Sequence, residues 1–136
     1  MKFARRVYLI AGIVGLIEIC PMYFTESLWG TMYPPPITHP EFFYGFAGVT
    51  LAWQVLFLLL SRDPVRYRPL MLATILEKAA FVVAALVLMS EQRMGTEMLG
   101  PLSIDVILGV LFVMAYVRTG VKTSGQDVPN NVAIGS

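Results

Sequence analysis

The chain has 136 residues, of which 57% are hydrophobic and only 14% charged, with a formal net charge of +1. A soluble domain carries about 25% charge, so this composition argues for a chain whose solvent is largely lipid. Near-neutral charge lacks the footprint of a nucleic-acid binder, and one His and one Cys rule out a His/Cys zinc site.

Lys2, Arg5 and Arg6 lead into a first apolar run, residues 6–24. The start looks like a signal peptide, but Glu18 interrupts the run and no small-residue cleavage site precedes Pro21. A retained first helix over 4–24 is expected, bent or ended by Pro21. Ala11 and Gly15 form a small-xxx-small pair that lets a neighbouring helix come close. Residues 25–40 carry Pro34-Pro35-Pro36 and His39-Pro40. Three prolines favour an extended polyproline segment, and a connection this long is either a lid or a spacer.

A second run covers 41–61, opening on Pro40-Glu41, which suits a helix N-terminus. Gly45, Gly48 and Ala52 mark its expected packing face. The short link at 61–68 makes the second and third runs expected antiparallel neighbours. The third run, 69–89, places Ala73, Glu77, Ala80 and Ala84 on one stripe, which points Glu77 into protein. The fourth, 101–118, has Asp105 and Gly109 one turn apart. At about 1.5 Å per residue, some 20 residues cover about 30 Å, the depth of a hydrocarbon core. The expected fold is all-α: a four-transmembrane-helix up-and-down bundle over 1–119, then a polar tail, 120–136, expected to be disordered.

Basic residues set the expected orientation. With loops on alternating sides, one side collects Lys2, Arg5, Arg6, Arg62, Arg66, Arg68, Arg118 and Lys122, while the other has Arg93. The positive-inside rule then puts both termini in the cytoplasm, and 24–40 and 90–100 outside. Tyr23, Phe24, Trp29, Tyr33, Phe42, Phe43 and Tyr44 gather at the outer boundary, as interfacial aromatics do.

Glu18, Glu77, Lys78 and Asp105 fall inside these runs. An ionised group at mid-bilayer costs about 2.5–3.5 kcal/mol on insertion scales, so such groups are expected to meet or to line water. One Lys cannot neutralise three carboxylates. The expected site is a polar cavity between the helices, open to the outer side, with Gln54 and Trp53 on its wall and Tyr44, Glu41 and His39 at its rim. It would bind a small amphiphile or relay protons or ions. Two alternatives stand beside it: an intramembrane acid–base enzyme on a lipid-soluble substrate, and an accessory subunit whose small-residue faces meet a membrane partner or a second copy. A Lys78 ion pair that merely locks helices is the bland explanation of the same residues. Cys20 reads as a small core residue. No phosphate loop, nucleophile elbow or zinc signature occurs, no catalytic residue is assigned and no cofactor is indicated.

The run Tyr44-Gly45-Phe46-Ala47-Gly48-Val49-Thr50-Leu51-Ala52, followed by Ser61-Arg62-Asp63-Pro64-Val65-Arg66-Tyr67-Arg68-Pro69-Leu70, resembles the second and third spans of small DoxX-like bacterial membrane proteins. The resemblance implies a four-helix fold in a bacterial cytoplasmic membrane and carries over no catalytic residue. The Glu77-Lys78 pair departs from most such proteins.

Overall fold

A computed structural model describes residues 1–124, with side chains described for 1–120. The chain forms α1 (Lys2–Ile19), α2 (Glu26–Met32), α3 (Pro40–Arg62), α4 (Leu70–Ser90) and α5 (Leu99–Ser124), with no strand among the described residues. Four helical runs, Lys2–Phe24, Pro40–Arg62, Leu70–Ser90 and Thr96–Gly120, are long and apolar enough to cross a bilayer. The chain is accordingly a multi-pass membrane protein. α5 continues past the expected end of the bundle to Ser124, and tail residues 125–136 lie outside the described residues.

Local chemistry explains the ends. Pro21 has no N–H to continue an α-helix, so α1 tightens into a 3-10 turn over Cys20–Phe24. Pro40 opens α3, and Glu41 lies in its first turn. α4 closes without a glycine: Gln92 takes a left-handed φ of 57°, and the Arg93 N–H returns to the Leu88 carbonyl at 2.8 Å. The connection 25–40 differs from the extended segment expected. Its first half is α2, and the chain bends over 33–35, with a cis peptide between Pro34 and Pro35.

Helix order also differs from expectation. α1 lies between α3 and α5, α4 packs on α5, and α3 and α4 barely touch despite their short link. A link holds two helix ends close, but complementary faces decide which helices pair. Gly12 of α1 meets the Leu58 side chain of α3, and Gly15 meets Gln54, so these two backbones come together. The buried face of α3 is Ala47, Gln54, Phe57 and Leu60, while Gly45 and Ala52 are exposed. In α4 the buried stripe is Met71, Thr74, Lys78 and Ala85, and Ala80 and Ala84 face outward. Cys20 is exposed rather than in the core.

Two apolar clusters result. At the end carrying residues 63–69, all four long helices contribute: Tyr8, Phe57, Leu60, Met71, Phe112 and Ala115 are buried together. Tyr8 is the centre of this cluster. Its ring stacks on Phe112 at 4.6 Å, leans on Phe57 at 6.0 Å, and its hydroxyl meets Thr74 Oγ1 at 2.9 Å. One residue of α1 therefore touches α3, α4 and α5. The same end carries Arg68 over the Tyr116 ring at 3.9 Å and Arg118 over Phe3 at 4.4 Å. The opposite cluster is Ile19, Met22 and Ala47, with Trp29, Phe43 and Leu51 against it. It contains nothing from α4 or α5.

Candidate functional site

The charged residues of the spans are brought together in part. Lys78 Nζ lies 2.6 Å from Asp105 Oδ1 and 3.3 Å from Glu77 Oε2. It donates to Glu77 Oε1, also at 3.3 Å, and the buried Oε2 accepts no hydrogen bond. Helix packing sets this geometry. Gly109 on α5 leaves room for the Lys78 Cβ, since a methyl there would sit 3.5 Å from it. The Lys78 stem thus runs along α5 and reaches Asp105 one turn away. The Lys78 side chain is 11% exposed, against 25% for Glu77 and 21% for Asp105. One ammonium is shared by two carboxylates across the α4–α5 seam. Chemically this is an ion-paired clasp, with every Lys78 contact committed.

Glu18 is not part of it. It is exposed on α1 and has no hydrogen-bond or ion-pair partner among the described residues. Gln54 is buried, and its Nε2 donates to the Thr50 carbonyl at 3.1 Å. Trp53 packs toward Phe57 at 6.3 Å and belongs to the core fringe. His39 and Glu41 are exposed and pair with each other at 3.3 Å. Of the expected rim residues, Tyr44 lines a cavity that His39 and Glu41 do not border.

That cavity is an open groove of about 800 Å³ at the end carrying 20–40. Its floor and walls come from the 3-10 turn, α2, the proline segment and Tyr44. A close backbone contact shapes it: a Cβ at Gly30 would approach the Ile37 nitrogen to 3.3 Å, so any larger residue would push the proline segment outward by a few tenths of an ångström. Gly48 lies under the Tyr23 hydroxyl, where an added methyl would make only an ordinary contact at 3.5 Å. Glu26 is the single charged residue lining the groove among the described residues. Its Oε2 accepts from the Tyr44 hydroxyl at 2.9 Å, and the Tyr23 and Tyr44 rings stand 6.0 Å apart.

Compared with protein-family models, curated proteins and solved structures, the chain matches none. The site therefore rests on geometry alone. Sequence reasoning passed over Glu26, because an acid outside a span carries no desolvation signal. The readable hint was Thr25-Glu26, a cap-type residue and an acid where a short helix starts.

The two glycine contacts give opposed expectations. Gly15→Ala would push the Gln54 carboxamide aside and off the Thr50 carbonyl, and is expected to destabilise the bundle by about 1 kcal/mol. Gly109→Ala meets Lys78 only at ordinary contact distance and is expected to be neutral or to stabilise by up to about 1 kcal/mol, from helix propensity. Thermal unfolding of both variants in detergent, followed by far-UV circular dichroism, checks the pair. Equal effects would contradict the packing described.

Proposed function

We propose that this multi-pass membrane protein binds a small amphiphile, with the polar head in the groove beneath the proline segment and the tail toward the bilayer. A single observation carries the proposal: the groove is large enough for a small ligand and joins one carboxylate to an aromatic wall, at the end of the spans where lipid meets water. The expected polar centre thereby moves from mid-membrane to the rim, and the Glu77–Lys78–Asp105 clasp serves to hold α4 on α5. The distribution of Lys and Arg supports placing this end outside the cell, with both termini cytoplasmic. The likeness to DoxX-like proteins supports a bacterial cytoplasmic membrane.

The test is occupancy. Ser27 lines the groove and is exposed, so Ser27→Trp fills the groove without entering the core. Native mass spectrometry of gently purified wild type is expected to show a bound adduct of small-amphiphile mass, lost in Ser27→Trp and kept in Glu77→Gln. An adduct lost in Glu77→Gln and kept in Ser27→Trp would place the ligand at the clasp and overturn the proposal.

A further inference from the structure

We propose that the head group held in the groove is an organic ammonium ion, primary or quaternary, carried on an apolar tail. The ligand class rests on the groove function proposed above and adds to it. The charge of the groove is one-sided, and its side-chain donors are neutral hydroxyls, of which those of Tyr23 and Ser27 are uncommitted among the described residues. Glu26 supplies a carboxylate, and no cation among the described residues lines the groove to balance it. The Tyr44 hydroxyl is spent on Glu26 Oε2, and the Thr31 hydroxyl on the Ser27 carbonyl at 2.9 Å. Pro34 and Pro36 have no N–H to offer. An anionic head would meet like charge with no cation among the described lining residues to offset it.

An ammonium head meets the reverse. The Tyr44 bond fixes the carboxylate through one oxygen, and Oε1 makes no hydrogen bond among the described residues. Tyr23, Tyr44 and Phe24 line the same groove, with the Tyr23 and Tyr44 rings 6.0 Å apart, and aromatic ring faces attract cations through their quadrupole. Carboxylate and rings together favour a cation over a neutral head of similar size. Phe24 is 90% exposed and Ile37 borders the same groove, which gives an alkyl tail an apolar exit toward the lipid.

The experiment uses the full chain in maltoside detergent, which has no ammonium group to compete. Isothermal titration calorimetry compares octyltrimethylammonium, octylamine, octyl sulfate and octanol, with melting curves confirming that each variant is folded. Wild type is expected to bind one or both cations saturably at one site per chain and octyl sulfate not at all. Glu26→Gln is expected to weaken cation binding at least tenfold, and Tyr23→Leu about fivefold. Saturable binding of octyl sulfate, or unchanged cation affinity in Glu26→Gln, would overturn the ammonium assignment. Saturable octanol binding that ignores Glu26→Gln but is lost in Ser27→Trp would keep the groove function and sink the ligand class. If none of the four binds saturably, both fail.

Discussion

Lys78→Met is expected to destabilise the folded bundle by about 3–5 kcal/mol, because it strands two partly buried carboxylates inside the spans. The Lys78 ammonium is the only positive partner that either Glu77 or Asp105 has among the described residues. Without it, two like charges face each other across the α4–α5 seam in a poor dielectric. Methionine keeps the length of the stem and its contact with Gly109, so lost charge rather than lost volume is tested. Adding Glu77→Gln and Asp105→Asn to Lys78→Met is expected to restore most of the loss, since a neutral seam has no stranded charge. Unfolding in mixed sodium dodecyl sulfate and maltoside micelles measures both. A single variant within about 0.5 kcal/mol of wild type would show that the clasp contributes little, in line with many exposed pairs.

Tyr8→Ala is expected to cost about 3 kcal/mol, the scale of an aromatic deleted from a packed core. In a bilayer the unfolded spans still lie in lipid, so the loss comes from packing rather than from exposure to water. The ring and the hydroxyl separate cleanly. Tyr8→Phe keeps the stacking on Phe112 and removes only the bond to Thr74, so about 1 kcal/mol is expected. The same micelle unfolding assay ranks the two. If Tyr8→Phe were as damaging as Tyr8→Ala, the hydroxyl and not the ring would be the main tie between the helices.

The spans were legible because their signal is crude: length and a shortage of charge. Pro21, Pro40 and the hairpin prolines marked ends for steric reasons that hold in any surroundings. Helix order was less legible. A span is apolar on every side, so the contrast between lipid-facing and protein-facing residues is faint. Gly45 and Ala52 looked like packing residues on size alone, yet they are exposed, while α3 turns Gln54 and Phe57 inward. The α4 stripe was misplaced by one position for a related reason. Alanines suggested one face, but the long Lys78 stem and the Thr74 bond to Tyr8 fix the neighbouring one. Charged residues within the spans were visible as an anomaly. Which of them meet could not be read from spacing, because Lys78 and Asp105 lie on different helices. Glu18, equally anomalous in sequence, faces outward.

The place of Tyr8 in the chain has a consequence for biogenesis. It leaves the ribosome well before its stacking partner, Phe112, which lies three membrane-length helices further along the chain. The buried cluster around Tyr8 therefore cannot close until α5 has been threaded into the bilayer. Early spans must wait in lipid, held by the pairing of α1 with α3, until α5 arrives. A polypeptide cut short before that span would keep its insertion but never its finished interior, which is the kind of defect that membrane quality-control proteases recognise.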